Sequence, residues 1–219
     1  MTQFEVSAVL FDMDGTLVDS TAIVERTWTN WANKNGLDPE FIVRFAHGRP
    51  TADTIRETAP HLDAVREAGT LLAEEELDPS VSVNIPGALE AVNAAQNYAK
   101  WAVVTSATRR LALLRLKAGG FPDPPVLVTA DDIVRGKPDP EGFRMAAHML
   151  GTAPEECLVF EDTPAGLLAG ASAGAAVIGL TTTFPAHDLP SAVVVPDLLS
   201  VRFESLAHKR LRVSIIPRG

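Results

Sequence analysis

Phe11-Asp12-Met13-Asp14-Gly15-Thr16-Leu17-Val18 is the stretch on which the reading of this chain turns. It follows at once on a short apolar run, Val6 to Phe11, with the length and composition of a buried β-strand. Residues i and i+2 of an extended segment point to the same side, so Asp12 and Asp14 can face one site where the strand ends. Gly15 permits a sharp turn behind them. One carboxylate can attack while the other handles a proton, provided a cation neutralises the crowded negative charge. Taken alone, the four residues also suit an ordinary Asp-Gly turn. A calcium loop is excluded, because that motif needs its glycine at the sixth position and a later bidentate Glu, whereas here glycine is fourth.

Working outward, apolar runs of strand length recur at Ala8 to Phe11, Ala102 to Thr105, Val126 to Thr129, Leu158 to Phe160, Val177 to Leu180 and Val193 to Val195. Between them lie helix-like segments opened by a capping residue or an early proline: Pro86 to Ala95, Thr108 to Ala118, Asp139 to Leu150 and Pro164 to Ala173. Strand alternating with helix predicts an α/β fold with a parallel sheet covered on both faces. Ligands of such sheets bind beyond the carboxyl ends of the strands.

Residues 20–84 break the rhythm, with no convincing strand and with amphipathic stretches such as Thr51 to Thr58 and Leu62 to Leu77. We read them as a helical cap inserted after the first strand, leaving 1–19 and 85–219 as the core. Both connections fall at the site edge of the sheet, which predicts a lid that closes over substrate and excludes water. The tail from Ser200 to Gly219, carrying Arg202, Lys209, Arg210 and Arg212, predicts a terminal hairpin with a solvated basic edge.

Composition narrows the function classes. With 219 residues, 46% of them hydrophobic, the chain can bury a full core. A net charge of −9, from 28 acidic and 19 basic residues, argues against a nucleic-acid or anionic-membrane surface and leaves small-molecule chemistry. The single cysteine, Cys157, allows no internal disulfide or cysteine metal cluster and reads as a small core residue. That usage fits a reducing, cytoplasmic setting, and the apolar run before Asp12 is too short for a signal peptide. No window approaches a membrane span. Nothing in the pattern demands a partner chain, so a monomer is expected.

Three more polar clusters sit at strand ends. Ser106, in Thr105-Ser106-Ala107-Thr108-Arg109, opens a helix whose free N–H groups and dipole suit a phosphate, although a helix cap would use the same residues. Lys137 is held between Gly136 and Pro138, with Asp139-Pro140 following, and a fixed lysine can neutralise a phosphate or a carboxylate cluster as readily as serve a surface turn. Glu161-Asp162 ends another strand before Thr163-Pro164-Ala165-Gly166, where Asp162 could cap a helix or join a hard-cation site. Four carboxylates at two strand ends would repel one another without a cation and a lysine, and that mutual need ties the clusters together.

In the order Asp-x-Asp, Ser, Lys, Glu-Asp, these clusters resemble the haloacid dehalogenase superfamily of phosphotransferases over nearly the whole chain. The resemblance implies a Rossmann-like α/β core with a small helical cap after the first motif, Mg²⁺ as cofactor, and roles by position. Asp12 is then the nucleophile and a metal ligand, and Asp14 the general acid and base with its backbone carbonyl on the metal. Ser106 and the Ala107 amide bind the phosphoryl oxygens, Lys137 holds phosphate and Asp12, Asp162 ligates the metal, and Glu161 acts on it through water. His47-Gly48-Arg49-Pro50-Thr51, Trp101 to Arg109, Thr129-Ala130-Asp131-Asp132, Gly136-Lys137-Pro138 and Phe160 to Gly166 further resemble the sugar and polyol phosphatases of this superfamily. A small phosphorylated sugar or polyol is therefore the expected substrate. A sugar-phosphate mutase of the β-phosphoglucomutase type shares all four positions and stays open, as does, less strongly, a non-catalytic phospho-sugar binding module. A dehalogenase needs neither Asp14 nor the metal. His47 and Arg49 are the cap residues expected to reach substrate, Trp28 and Trp31 are expected in the cap's own core, and Glu25 and Asp53 carry no assignment.

Overall fold

The apolar run before Asp12 proves to be two strands. Gln3–Val6 (β1) and Ala8–Phe11 (β2) part at Ser7, whose amide donates to the Glu156 carbonyl at 2.9 Å and whose carbonyl accepts from the Lys100 amide at 3.2 Å. The cause lies in the side chains. Gln3 and Glu5 are exposed while Val6 is buried, as one-sided packing requires, whereas β2 is buried at all four positions. This computed structural model describes residues 2–77 and 83–216.

After β2 the chain forms a two-residue strand, Val18–Asp19 (β3), then four helices: Thr21–Lys34 (α1), Pro39–Ala46 (α2), Thr51–Thr58 (α3) and Ala64–Glu76 (α4). Val83–Asn84 (β4) returns antiparallel to β3, with Val18 opposite Asn84 and Asp19 opposite Val83. The sequence showed no strand there, since two residues are too few for a pattern. Local chemistry sets the helix starts. The Asp38 side chain accepts from the Glu40 amide at 3.0 Å with Pro39 at the first position of α2, and Asp63 caps α4 from the Val65 and Arg66 amides at 3.1 Å. The four helices enclose their own apolar cluster, which includes Trp28, Trp31, Ile42, Ile55 and Leu71. The two tryptophans meet edge to face at 5.4 Å, and Trp31 Nε1 donates to Glu67 Oε2 at 3.1 Å.

The chain continues through Ala88–Tyr98 (α5), Lys100–Val104 (β5), Arg109–Ala118 (α6), Leu127–Val128 (β6), Glu141–Met149 (α7), Cys157–Glu161 (β7), Pro164–Ala173 (α8), Ala176–Leu180 (β8) and Val194–Val195 (β9). Six strands form one parallel sheet in the order β6-β5-β2-β7-β8-β9. β2 therefore lies between β5 and β7, with Phe11 opposite Val103 on one side and Phe160 on the other. Alternate residues of β2 serve opposite faces. Val9 and Phe11 join the cluster of Val92, Leu111 and Leu116 from α5 and α6, while Ala8 and Leu10 pack with Phe143, Ala146 and Ala169 from α7 and α8.

The tail forms the expected hairpin, Val201–Leu206 (β10) and Arg210–Ile215 (β11), but not a free one. β1 adds to β11, making a second, antiparallel sheet of three strands, and Arg210 and Arg212 are spent on the Glu5 carbonyl and carboxylate at 3.0 and 2.7 Å. Among the described residues no helix is long and apolar enough to cross a membrane. Cys157 is fully buried, and burial together with Glu156 and Glu155 pushes its thiol up to about 11.

Candidate active site

Because β5, β2 and β7 are adjacent and parallel, the residues that follow them arrive at one edge of the sheet. Asp12 comes first, its amide still bonded to the Phe160 carbonyl at 3.0 Å, so that it stands level with the end of β7. Glu161 and Asp162 lie beside it, and all three carboxylates are buried, with ligand-capable oxygens within 4.8 Å of one another. Lys137, also buried, donates to Asp12 Oδ1 and, at 2.6 Å, to Glu161 Oε1. The Lys137–Phe143 contact, 5.4 Å from Nζ to the ring centre, supports the same ammonium from below.

Two glycines make this crowding possible. Gly15 has φ +80°, and a β-carbon there would fall 2.0 Å from Asp162 Oδ2. At Gly166, in the first turn of α8, it would fall 1.7 Å from Glu161 Oε1. The second oxygen of Glu161 is held by the Thr163 amide at 2.7 Å and the Thr163 hydroxyl at 2.8 Å, and that hydroxyl caps α8 by accepting from the Gly166 amide at 3.1 Å. Asp162 Oδ1 accepts from Thr16 Oγ1 at 3.3 Å. Glu161 is thus spent on fixing Lys137, while Asp12 and Asp162 face the cavity.

Electrostatics follow from burial. It raises Asp12 to about 8 against the opposing pull of Lys137, and it holds Asp162 well above the ordinary carboxylate range with Glu161 and Asp12 adding to the rise. Burial also works against the Lys137 charge, but Asp12 and Glu161 outweigh it and keep the ammonium firmly protonated. With all three carboxylates ionised against one buried ammonium, the cluster carries an excess of two negative charges, which one divalent cation would balance. An all-oxygen donor set fits a hard cation.

Ser106 and Ala107 border the same cavity as Asp12 and Asp162. Thr108 caps α6, leaving Ser106 free of that task. Ser106 Oγ instead donates to the Gly48 carbonyl at 3.0 Å, and the Ala107 amide donates to Thr105 Oγ1 at 3.0 Å. The loop 47–50 is pressed against the core at three points: on Ser106, on Thr163, which a β-carbon at Gly48 would meet at 2.5 Å, and on Gly136, whose own β-carbon would meet Pro50 at 2.4 Å. The helical unit lies closed over the sheet edge. A cavity of about 70 Å³ remains, bordered by Asp12, Asp14, His47, Ser106, Arg115 and Asp162 among others.

His47 is half-buried at this cavity, its pKa lowered by burial against Glu25 and Asp14. Arg49 borders it too, but its guanidinium lies 4.1 Å from the Phe45 ring centre and pairs with Glu57 at 3.1 Å. Asp53 pairs with Arg56 on α3 and borders a separate surface cleft. Trp28 both fills the helical unit's core and borders the main cavity.

Asp14 borders the same cavity but stands outside the Asp12, Glu161 and Asp162 cluster, with partners of its own. Its Oδ1 accepts from Ser20 Oγ at 2.6 Å and from Arg115 Nη1 at 2.8 Å, and Arg115 Nη2 donates to Glu75 Oε2 at 2.8 Å. Sequence reasoning missed Arg115, Glu75, Ser20 and Thr163. One signal was available: Arg115 sits four residues after the buried Leu111, a charge on the apolar face of α6.

A carboxylate cluster at the strand ends of a parallel α/β sheet, under an inserted helical unit, defines a class of hydrolases. The chain belongs to the haloacid dehalogenase-like hydrolases, whose family model matches residues 6–174. Among its relatives, hexitol phosphatase A of Escherichia coli is 41% identical over 179 residues, 78% of this chain and 81% of that one. The 2-deoxyglucose-6-phosphate phosphatase 1 of Saccharomyces cerevisiae is 34% identical over 228 residues, 92% of each chain. The crystal structure of a hydrolase from Pseudomonas syringae superposes with a TM-score of 0.80 at 26% identity, covering 89% of this chain and 94% of that one.

Proposed function

We propose that this hydrolase is a Mg²⁺-dependent phosphatase of small sugar or polyol phosphates that works through an aspartyl-phosphate on Asp12. The observation that carries the reading is the buried contact of Lys137 with Asp12 beside a second, separately held carboxylate, Asp14. Asp12 attacks phosphorus, the ester P–O bond breaks, and the departing alkoxide takes its proton from Asp14. Asp14 then takes a proton from water, which attacks the phosphorus of the aspartyl-phosphate and frees Asp12 and inorganic phosphate. Lys137, Ser106 and the Ala107 amide hold the phosphoryl oxygens, where charge must be stabilised as the transferring group loosens. To do so Ser106 Oγ must turn from the Gly48 carbonyl and the Ala107 amide must exchange Thr105 Oγ1 for the phosphoryl oxygen, so substrate binding displaces a contact of the helical unit.

Asp12, Asp162 and the Asp14 carbonyl would hold Mg²⁺, with Glu161 acting on it only at one remove. The ion supplies neutralisation of the phosphoryl and carboxylate charge. The helical unit, residues 20–84, is the cap that closes over substrate, and its His47 and Arg49 select the organic half. Its relatives in sequence act, by name, on hexitol and deoxyglucose phosphates. The substrate is small, the enzyme needs no nucleic acid or membrane, and it works as a cytoplasmic monomer.

The test is inorganic phosphate release from a panel of sugar and polyol phosphates with and without Mg²⁺, for the wild type and Asp12→Asn. Metal-dependent release that the substitution abolishes supports the reading. Poor release across the panel that a sugar bisphosphate primer converts into phosphate transfer would assign the chain to the mutases instead.

A further inference from the structure

We infer that Arg115 is a positioning residue that presents Asp14 for proton transfer, and that Glu75 of the cap holds Arg115 in place when the cap is closed. The inference rests on the phosphatase reading above and deepens it. Arg115 projects from α6 of the core, its side chain only 4% exposed, and its two terminal nitrogens are divided between carboxylates of different elements. Nη1 reaches Asp14 in the motif after β2, and Nη2 reaches Glu75 on α4. Glu75 is itself 6% exposed on its side chain, so the pair is sealed from water at the boundary of cap and core.

A buried arginine with one carboxylate partner would satisfy its charge. A second partner on the moving unit does something further, because a planar guanidinium gripped at both ends cannot rotate. Both donors to Asp14, Ser20 Oγ and Arg115 Nη1, fall on Oδ1, which leaves Oδ2 as the oxygen to carry the proton. Ser20 lies between β3 and α1 at the base of the cap, and Glu75 at the end of α4, so both supports of Asp14 depend on the cap's placement. Protonation of the leaving alcohol is thereby set up when the cap is shut over substrate. Arg115 and Glu75 both border the main cavity, but among the described residues neither forms a hydrogen bond or ion pair with Lys137, Asp12, Glu161 or Asp162.

The experiment compares Glu75→Gln, Arg115→Lys and Arg115→Met with wild type on two esters in Mg²⁺, a hexitol phosphate and p-nitrophenyl phosphate. The first leaves as an alkoxide and needs a proton, whereas p-nitrophenolate departs without one. kcat/KM is read because it reports the steps through the first P–O cleavage. Expected is a loss of about 10- to 100-fold on the hexitol phosphate, as for a weakened general acid, with less than about 3-fold on p-nitrophenyl phosphate. Arg115→Lys should recover part of the loss seen in Arg115→Met. Equal losses on both esters, or no loss on either, would overturn the inference. Thermal unfolding identifies any variant that fails to fold, and Glu75→Gln, which keeps the size of the side chain but removes the charge that grips Arg115, decides the matter if Arg115→Met does. Wild-type inactivity on both esters would overturn the phosphatase reading and the role of Arg115 together.

Discussion

Gly166→Ala opposes two effects of known size. In an ordinary helix the change stabilises by about 1 kcal/mol, since alanine is the best helix former and glycine nearly the worst. Here the new methyl would lie 1.7 Å from Glu161 Oε1, so the carboxylate must leave its seat. That seat consists of Lys137 Nζ at 2.6 Å, the Thr163 amide at 2.7 Å and the Thr163 hydroxyl at 2.8 Å, around a side chain with no solvent exposure. Breaking a buried ion pair by displacing one partner costs about 3–5 kcal/mol, so the net expectation is a loss of about 2–4 kcal/mol. Lys137 then keeps only Asp12, and turnover should fall about 10-fold or more as a charge aimed at the phosphoryl group drifts. Urea unfolding and phosphate release measure the two halves. Gly69→Ala in α4, where a β-carbon meets nothing within 4 Å, is the control and should gain about 1 kcal/mol with activity unchanged. A Gly166→Ala protein as stable and as active as wild type would refute the claim that Glu161 is packed against this glycine and anchors Lys137.

Other expectations are simpler to test. Asp12→Asn should lose at least about 10³-fold in turnover while its circular dichroism spectrum is unchanged. In the metal-free protein, Asp12 and Asp162 bind protons more tightly folded than unfolded, so stability should decline as pH rises from the ordinary value of 3.8 toward about 8, the interval in which unfolded Asp12 is ionised and folded Asp12 still holds its proton. Lys137 stays charged throughout that window, and its contribution does not change. Saturating Mg²⁺ should reverse the decline, by about 2.7 kcal/mol at a hundredfold excess over its Kd, and Asp162→Ala should erase most of that gain in thermal melts. Cys157 should resist a thiol reagent at pH 8 in the native protein and react fully once unfolded; labelling of the folded chain would contradict its burial.

The positions of Asp12, Ser106, Glu161 and Asp162 were legible because each ends or closely follows a strand, where local pattern and position in a parallel sheet coincide; Lys137 stands in the loop before α7, marked by the glycine and proline on either side of it. The sheet itself was legible for the same reason, since β2, β5, β7 and β8 are continuous apolar runs. What escaped depends on distance along the chain. Arg115 and Glu75 are separated by 40 residues and Arg115 and Asp14 by 101, so no local pattern joins them. The split at Ser7 was in principle readable from the alternation Gln3-Phe4-Glu5-Val6, but the partner that makes it a strand of another sheet is β11, at the far end of the chain. The start of α5 shifts from Pro86 to Ala88 because Gly87 takes φ +83°, with the Leu198 and Leu199 backbone packed where a side chain would stand.

The ribbon of β3 and β4 has a consequence for how this architecture can change. The two places where the chain leaves and re-enters the core are zipped to each other, Val18 against Asn84 and Asp19 against Val83, so the helical unit hangs from a single stalk. A stalk of that kind is a natural splice point: everything between Asp19 and Val83 can be exchanged as a cassette while Asp12, Lys137 and Asp162 keep their places in core segments that never enter it. Arg115 marks the limit of that freedom, because a transplanted cassette must bring an acid to meet it.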